Sequence, residues 1–495
     1  MKVLLELRPA FDGHSGIPQE TRLLFCGLAR LDHIEVIGLI HSSNLVVEAG
    51  LPVRRGVTDG RLTDEKRIDL LSKVVVSLQQ GAASHRLEHL RRRVLKLFRP
   101  AAAVFASLFG HKVALGGFDP KHFEDFIWRD MFAKSLHDDD FQVVTTRGFR
   151  ILRWPWSVLH AIGVVASQFG HALYARLDTR GIDVLLVETP FPGRVVKPTK
   201  MVVRYHDAIP LLMPHTIKHR GYHRAAHYQA LRRNVRDGAW FACVSEATRQ
   251  DLLSVMPEVA DRAVTIPNMV SHHFFAEATS ASRVSEVIWS RKNRHAPHDG
   301  GAAIVETDVV DGSLFYLLMV CTIEPRKNHL TLIDAWELLR SQGFDRLNLV
   351  FVGSLGWDHK ALMQRCSPWL QRGGLHLLEN VPSGDLRLLY RHAAATICPS
   401  YGEGFDFPGI EAMRCGGVVA ASDIPVHRGV FGDSCEYFNA YSAKDLARAI
   451  QALIGESSGP RRSSLVEQGA RTAEQYLPER VMPLWGEFLR RVAAA

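Results

Sequence analysis

Short apolar runs alternate with longer segments of helical periodicity along both halves of the chain. An apolar run of about four to six residues is typical of a strand buried on both faces, and intervening helical patterns are typical of parallel sheets. The sequence therefore predicts an α/β fold with two sheets. The strands predicted for the first sheet are 3–7, 34–40, 184–187, 201–205, 241–244 and 264–266. Those predicted for the second sheet are 315–320, 347–352, 375–378, 394–398 and 418–421.

The length of 495 residues exceeds what one hydrophobic core usually organises, which predicts two or three domains, and the pattern along the chain favours two. The first should span 1–270, with an insertion at 57–149 that is helical by pattern. The regular alternation is lost over 271–312, which predicts a linker. The second domain should span 313–480, and a terminal helix over 481–495 is expected to pack back on the first domain.

Composition indicates a folded protein, because 46% of the residues are hydrophobic and 23% are charged. The first residues form a strand pattern and the most apolar later stretch is interrupted by polar residues, so neither a signal peptide nor a membrane span is expected. The seven cysteines are scattered without a C-x-x-C pair, which favours a reducing cytoplasm over a disulfide framework or a zinc site.

The net charge of +8 favours anionic partners without choosing among them. Part of it lies between Arg86 and Arg99, where basic and apolar residues alternate at helical spacing. A solvated helix that covers the core is one interpretation, and contact with an anionic membrane surface is the other. Nucleic acid is not expected, because no recognition module accompanies the charge.

The turns that follow the strands are the places to look for chemistry, because ligands bind at the carboxyl ends of parallel strands. After the strand 394–398 comes a loop with Gly402, Glu403 and Gly404, followed by a helix start at which Pro408 suits the first turn. Exposed N–H groups there suit phosphate or sugar oxygens. Glu411 is placed in the first helical turn, where it would accept hydrogen bonds from hydroxyls such as those of a ribose.

Two further interpretations concern these acids and the basic turn after the strand 315–320. Glu403 could face a transferred group. Spacing alone instead favours Glu411 as a helix cap and Glu403 as a solvated loop acid. Arg326 and Lys327 could neutralise a pyrophosphate leaving group without a metal, or they could form an exposed basic loop. Asn328 is predicted to cap the helix that follows them.

Several motifs in order over 315–438 resemble the donor domain of the family 4 retaining glycosyltransferases, also described as group 1, which have the GT-B fold. The matching text includes Thr322-Ile323-Glu324-Pro325-Arg326-Lys327-Asn328, Val352-Gly353, Pro399-Ser400, Glu403-Gly404-Phe405, Glu411-Ala412-Met413 and 416–422. The resemblance implies two Rossmann-like domains whose parallel sheets face a cleft, with acceptor bound by the first and donor by the second.

The resemblance also implies roles for individual residues. Arg326 and Lys327 would bind the donor diphosphate, Glu403 would contact the donor sugar at the reacting centre, and Glu411 would hold the ribose. His206 resembles the histidine that faces the cleft in relatives and is expected to be catalytic with Glu403, Arg326 and Lys327. The further donor-binding residues expected are Gly16, Gly404, Phe405, Asp406 and Phe407.

Two departures from the family pattern concern this donor site. Cys321 stands where some relatives have an arginine, and Asp406 replaces a frequent glycine. The extra carboxylate of Asp406 could select among donor sugar hydroxyls. The acidic run Asp138-Asp139-Asp140 is interpreted as a solvated turn and not as a metal site.

The function implied is retaining transfer of a hexose, with mannose expected, from a nucleoside diphosphate sugar to a saccharide or lipid-linked saccharide. Such transferases build surface polysaccharide such as lipopolysaccharide. No metal or other cofactor is expected. A cytoplasmic enzyme, peripheral at the inner face of the plasma membrane, would fit this role. The alternatives are another GT-B enzyme, such as a phosphorylase or an epimerase, and a non-catalytic module that binds nucleotide sugars.

Overall fold

Two α/β domains face each other in the computed structural model, which describes residues 1–14, 16–54, 57–58, 62–79, 104–106, 109–291 and 314–495. Each domain is built on a sheet of mainly parallel strands with helices packed on both faces. The prediction of two Rossmann-like domains is thereby confirmed. The basic segment between Arg86 and Arg99 lies outside the described residues.

The first sheet has eight strands in the order β12-β11-β10-β8-β1-β2-β6-β5. Its central strand β1 (Lys2–Glu6) pairs in parallel with β2 and β8, and four of its five residues are buried, as a strand covered on both faces requires. The other strands of the first domain are β2 (Glu35–Ile40), β3 (Val53–Arg54), β4 (Val57–Thr58), β5 (Gly116–Phe118), β6 (Gly148–Ile151), β7 (Ala175–Arg176), β8 (Val184–Val187), β9 (Gly193–Arg194), β10 (Lys200–Tyr205), β11 (Trp240–Cys243) and β12 (Ala263–Thr265).

The insertion at 57–149 is not purely helical, which corrects the prediction. Strand β6 begins within it and pairs in parallel with β2, and β5 pairs with β6 in the antiparallel direction. The insertion thus extends the first sheet at one edge. Neither strand was predicted, because β5 contains two glycines and β6 two polar or glycine positions in four residues.

The second sheet has six strands in the order β15-β14-β13-β16-β17-β18, and all of its pairs are parallel. Its first five strands in the chain are the predicted ones to within one or two residues, and the short sixth strand adds an edge. The strands are β13 (Tyr316–Val320), β14 (Asn348–Val352), β15 (Leu375–Leu378), β16 (Ala395–Cys398), β17 (Val419–Ser422) and β18 (Glu436–Phe438).

The helices cover these sheets and begin and end as follows. In the first domain they are α1 (Ile17–Ala29), α2 (Asp64–Gln79), α3 (Glu124–Phe126), α4 (Phe141–Thr145), α5 (Trp156–Ser167), α6 (Ile209–Leu212), α7 (Arg220–Arg236) and α8 (Glu246–Val255). After it come α9 (Ser282–Arg291), α10 (His329–Ser341), α11 (Lys360–Arg372), α12 (Ser383–His392), α13 (Phe407–Arg414), α14 (Pro425–Phe431), α15 (Ala443–Ile454), α16 (Gly459–Glu474) and α17 (Pro478–Ala494).

The predicted linker at 271–312 contains helix α9. Val284, Val287 and Ile288 of this helix are buried in the core of the second domain. The part of the linker that the structure describes therefore belongs largely to the second domain, and the apolar spacing of these three residues is the signal that identifies it.

The chain crosses between the domains twice, and the two crossings are hydrogen-bonded to each other. The backbone N–H of Val270 on the outward crossing donates to the carbonyl oxygen of Tyr476 on the return, at 2.8 Å. Beyond the return, α17 packs on the first domain, where Trp485 and Phe488 are buried in the first core. The ring of Phe488 lies 6.2 Å from that of Trp240 on β11.

Two observations bear on the environment of the chain. The seven cysteines form no disulfide. Within the described ranges, none of the helices combines the length and the apolar character that crossing a membrane demands.

Candidate active site

A cavity of about 330 Å³ opens between the two domains at the carboxyl ends of their strands. All of the residues predicted to be catalytic or to bind the donor lie along its wall. They are Gly16, His206, Arg326, Lys327, Glu403, Gly404, Phe405, Asp406, Phe407 and Glu411. Segments that are far apart in the chain therefore form one site.

Glu403 is bound by both of the predicted cations. Its Oε2 accepts a hydrogen bond from Nη1 of Arg326 at 2.8 Å, and its Oε1 accepts one from Nζ of Lys327 at 2.6 Å. Arg326 also donates to Glu324 at 2.8 Å and to the carbonyl oxygen of Gly402 at 2.5 Å. The basic turn after β13 is thus part of the site and not an exposed loop.

These contacts fix the charges of the cluster. Burial acts to raise the pKa of Glu403, but the charges of Arg326 and Lys327 hold it well below its ordinary value. Burial acts to lower the pKa of Lys327, and the Glu403 carboxylate raises it. The Glu403 carboxylate and both cations are therefore charged at neutral pH, and both cations lie on the cavity wall.

Asn328 does not cap the helix that follows it, contrary to the prediction. It has a left-handed backbone, with φ of 62°, and its side chain makes no cap hydrogen bond. Instead its amide donates to the carbonyl oxygens of Pro399 and Ala440, at 2.9 and 2.8 Å. Asn328 thereby ties the basic turn to the loop that carries Glu403.

Glu411 is the fifth residue of α13 and lies in its second turn, not the first as predicted. Its Oε2 accepts a hydrogen bond from the Tyr390 hydroxyl at 2.9 Å, and its Oε1 accepts one from the Gln19 amide of α1 at 3.2 Å. Burial raises the pKa of this carboxyl to about 7. Glu411 therefore joins the second domain to the first and is close to half protonated at neutral pH.

Asp406 has a left-handed backbone, with φ of 88°, and precedes α13. Its Oδ2 lies 2.9 Å from Nε2 of the buried His427, whose Nδ1 lies 2.9 Å from the carbonyl oxygen of Ser422. This oxygen is turned to His427, while Asp406 as a residue lines the cavity, and its selection of sugar hydroxyls stays a prediction. The pair anchors the start of α13 to β17.

Gly404 is where the two domains approach most tightly at the site. A Cβ added to Gly404 would lie 1.8 Å from the carbonyl oxygen of His206. The hydroxyl of Thr248 in the first domain donates to the Gly404 carbonyl oxygen at 3.2 Å, and Thr248 belongs to the turn that Ser245 caps. The glycine is required here because any side chain would push the domains apart.

His206 follows β10 and has a buried carboxyl partner that the sequence did not indicate. Its Nε2 lies 3.2 Å from Oε2 of Glu188, which follows the neighbouring strand β8. Burial, aided by the charge of Arg204, lowers the pKa of His206 to about 3, so that the ring is neutral. Gly16 lines the same cavity just before α1, with φ of 70°, and a Cβ added there would meet nothing within 4 Å.

Three residues of the cavity wall were not predicted as site residues. Gln19, Asp207 and Trp357 all line the cavity. Trp357 reaches across the cleft and donates from its indole nitrogen to the carbonyl oxygen of Thr216 at 3.1 Å. The signal for Asp207 was its place beside His206 at a strand end, whereas Gln19 and Trp357 gave none.

The acidic run at 138–140 lies in the first domain and outside this cavity. Asp140 accepts a hydrogen bond from Arg30 and another from the thiol of Cys26. In the part of the chain that the structure describes, His, Cys, Asp and Glu side chains form no group of three or more suited to a metal ion.

With this geometry in hand, comparison with known proteins identifies the second domain. Residues 307–472 match the family described as glycosyl transferases group 1. The second domain therefore resembles the group 1 glycosyl transferases. The resemblance drawn from the motifs is confirmed, and the matched residues include Arg326, Lys327, Glu403 and Glu411.

Two curated relatives come from Escherichia coli. The chain is 30% identical over 230 residues to the serotype-specific mannosyltransferase WbdA, which covers 43% of this chain and 28% of that protein. It is 37% identical over 119 residues to the O-antigen chain mannosyltransferase B, which covers 24% of this chain and 31% of that protein. The chain thus spans about a third or less of the length of these relatives.

A solved structure with the same fold is that of sucrose-phosphate synthase from Thermosynechococcus elongatus. The TM-score is 0.59 at 14% sequence identity, and the match covers 100% of this chain and 99% of that one. Both domains and their arrangement around the cleft are therefore shared.

Proposed function

We propose that this protein is a retaining glycosyltransferase that moves a hexose, mannose by preference, from a nucleoside diphosphate sugar to a saccharide or lipid-linked saccharide. The observation that carries the proposal is the triad of Glu403, Arg326 and Lys327 on the wall of a cleft in a group 1 domain. The names of both relatives support mannose, and one of them supports a role in surface polysaccharide.

Arg326 and Lys327 are the proposed clamp for the donor diphosphate. Two cations fixed in place by the protein stabilise the negative charge that develops as the diphosphate departs. The unpaired N–H groups at the start of α13 add the positive end of the helix dipole. We expect that this charge makes a metal ion unnecessary.

The proposed reaction forms a bond from the acceptor oxygen to the anomeric carbon as the bond to the diphosphate oxygen breaks. The acceptor hydroxyl gives its proton to that departing oxygen on the same face of the sugar, so the anomeric configuration is retained. No base from the protein is needed. The role proposed for Glu403 is to hold the clamp in place and to contact a hydroxyl of the donor sugar.

The remaining donor contacts follow from the same wall. Glu411 has two carboxyl oxygens at the cavity and is proposed to accept hydrogen bonds from the ribose. Gly404 allows the donor sugar to approach the backbone closely, and Phe405 and Phe407 supply apolar surface beside it. Gly16 is proposed to allow a similarly close approach of the donor to the backbone of the first domain.

The acceptor is proposed to enter from the first domain. A lipid-linked acceptor would require the protein to reach a membrane surface, and the basic segment between Arg86 and Arg99 is the proposed contact, at the inner face of the plasma membrane. Flotation with vesicles containing anionic lipid tests this contact. The wild type should float with the vesicles, whereas a variant with Arg91, Arg92 and Arg93 changed to glutamine should stay unbound at the bottom of the gradient.

The test of the donor proposal is a panel of GDP, UDP, ADP and dTDP in a thermal unfolding assay, because a ligand that binds the folded state raises its unfolding temperature. One nucleotide should stabilise the protein, and the Glu411→Ala variant should respond less to it. Failure of all four nucleotides would contradict the proposal.

The matching sugar nucleotide, with mannose first, is then supplied with and without acceptor saccharide. Release of nucleoside diphosphate that depends on acceptor separates a transferase from a non-catalytic binding module. Dependence on inorganic phosphate would indicate a phosphorylase, and a changed sugar without transfer would indicate an epimerase. NMR of the anomeric centre in the product then reports whether configuration is retained.

A further inference from the structure

The buried carboxyl group of Glu188 has no place in the mechanism above, yet it is in direct contact with His206. Its side chain is fully buried behind the cavity wall, and its Oε2 lies 3.2 Å from Nε2 of His206. Its Oε1 has no hydrogen-bond partner among the described residues. Its backbone N–H donates to Oε2 of Glu6 at 3.1 Å.

The cations around Glu188 are already paired with other carboxylates. Arg8 donates to Glu6 at 2.8 Å, and Arg204 donates to Glu20 at 2.8 Å. Within the described ranges, no lysine or arginine lies at ion-pair distance from Glu188. A carboxylate buried without a cation is costly, so the group retains its proton instead.

A protonated carboxyl group decides which nitrogen of the histidine carries hydrogen. The Glu188 O–H is assigned to Oε2, where it donates to Nε2, because a proton on Oε1 would find no hydrogen-bond partner among the described residues. A neutral ring then has its own hydrogen on Nδ1. Nδ1 makes no hydrogen bond with the described residues, and His206 lines the cavity.

We propose that Glu188 is a positioning residue that fixes His206 as the Nδ1–H tautomer, so that the histidine offers the cavity a hydrogen-bond donor. Such a donor suits an oxygen of the donor sugar or of the diphosphate. The role in turnover rests on the function proposed above, whereas the tautomer itself does not.

The charges around the pair define the pH range of this arrangement. Glu6, Arg8, Glu20, Thr21, Arg204 and His206 are the polar groups that face Glu188. Burial raises the pKa of Glu188 to about 8, and burial lowers that of His206 to about 3. Above about pH 8 the carboxylate accepts from Nε2–H, and Nδ1 becomes an acceptor.

The tautomer is read directly from the ring nitrogen signals of ¹⁵N-histidine-labelled full-length protein. His206 is assigned by the signals that the His206→Gln variant lacks. At pH 7 the Nδ1 signal should be that of a protonated nitrogen and the Nε2 signal that of an unprotonated one. The opposite assignment at pH 7 would overturn the proposal.

Two substitutions at Glu188 distinguish the effect of its titration from the effect of its hydrogen bond to His206. Glu188→Gln keeps a donor toward Nε2 but cannot titrate, so the Nδ1–H tautomer should persist up to pH 9, whereas the wild type should change near pH 8. Glu188→Leu removes the donor and should give a mixture of tautomers at pH 7. An unchanged spectrum in Glu188→Leu would show that the carboxyl group does not set the tautomer.

Turnover gives the second reading once a donor is known. In the wild type kcat should fall by about tenfold between pH 7 and pH 9 as the donor is lost, and in Glu188→Gln it should stay level over that range. An alkaline fall of equal size in both proteins contradicts a role for Glu188 in turnover. The spectra need no substrate, so failure of the proposed function leaves the tautomer test intact.

Discussion

Glu403 lies between two cations and neutralises part of their charge. Because the glutamate, the arginine and the lysine are all buried or nearly so, each is held in one position before a donor binds. Arg326 has three partners within the protein, whereas Lys327 is held by Glu403 through a single hydrogen bond. Lys327 is therefore the cation that is freer to bind a diphosphate oxygen.

Replacing Lys327 with alanine tests the clamp. We expect kcat to fall by about 100-fold to 1000-fold, the usual effect of removing one group that stabilises charge in a transition state. The binding of nucleotide should weaken much less. Steady-state kinetics with the donor found in the nucleotide panel measures both.

The matched control for this substitution is Lys444→Ala, because Lys444 is an exposed lysine on α15 and lies outside the cavity. It should leave both parameters unchanged. Full turnover in Lys327→Ala would remove the lysine from the proposed clamp.

The carboxyl group of Glu411 should make stability depend on pH. Burial raises its pKa from 4.5 to about 7, so its contribution to stability is full below about pH 4.5 and is lost as the pH rises through about 7. Glu411→Gln cannot titrate. Relative to the variant, the wild type should lose up to ~3 kcal/mol of unfolding free energy between pH 5 and pH 8. Urea denaturation at the two pH values measures this, and an equal difference at both would contradict it.

At the scale of elements, the loop before α13 places a glycine against the opposite domain. The tight contact of Gly404 with the His206 carbonyl, the Thr248 hydrogen bond and the Asp406 to His427 pair hold this loop from three sides. The position of the first domain therefore constrains this loop, which carries Glu403.

Gly404→Ala should disturb the contact between domains without unfolding either one. The new methyl group would lie 1.8 Å from a backbone oxygen, which cannot yield as a flexible side chain does. Turnover should fall by at least about tenfold, since a misplaced site of about 1 Å can cost 100-fold. Small-angle X-ray scattering should report a larger radius of gyration.

The control is Gly384→Ala at the start of α12, where an added Cβ meets nothing within 4 Å. It should retain both turnover and dimensions. If Gly404→Ala also retained its turnover and radius of gyration, catalysis would not depend on the close contact between Gly404 and the first domain.

The sequence predicted those elements that have strong apolar runs. All five predicted strands of the second sheet are present because each is buried on both faces and reads as a continuous run. Strand β5 could not be predicted, because its three residues include Gly116 and Gly117 and its pairing depends on β6 from 30 residues later. The core position of α9 was missed because a polar linker surrounds it.

The residues of the site likewise fall into those that could be predicted from the sequence and those that could not. Arg326, Lys327, Glu403 and Glu411 were predictable, because local motifs place them at strand ends and helix starts. Glu188 and the pairing of Gln19 with Glu411 were not predictable, because each depends on two distant segments brought together by the fold.

At the scale of the whole molecule, Arg204 links the parts on which the relation between the domains depends. It donates to Glu20 on α1 and to Asn268 just before the outward crossing, at 2.8 and 2.7 Å. Its guanidinium lies 5.1 Å from the ring centre of Trp485 on α17. The buried Arg204 thus joins α17, which follows the return crossing, to the segment at which the outward crossing begins.

Trp485→Ala should therefore destabilise the first domain although the substitution lies after the second. The side chain is fully buried, and truncation of a buried tryptophan costs about 3 to 5 kcal/mol. Urea denaturation followed by limited proteolysis should show cleavage within 1–270 before cleavage within 314–475.

Leu484→Ala is the control, because Leu484 is the neighbouring residue on the same helix and is 43% exposed. It should cost less than about 1 kcal/mol. Loss of the second domain first in Trp485→Ala would contradict the assignment of α17 to the first core.

The packing of α17 on the first core also sets an order for events on the ribosome. The first 270 residues leave the ribosome early, but their core lacks the wall that Val481, Trp485 and Phe488 supply. The second domain has all of its sheet strands before α17 is synthesised, so it can fold first. We therefore expect apolar surface of the first domain to stay uncovered during the synthesis of about 200 further residues, a period in which chaperones could bind it.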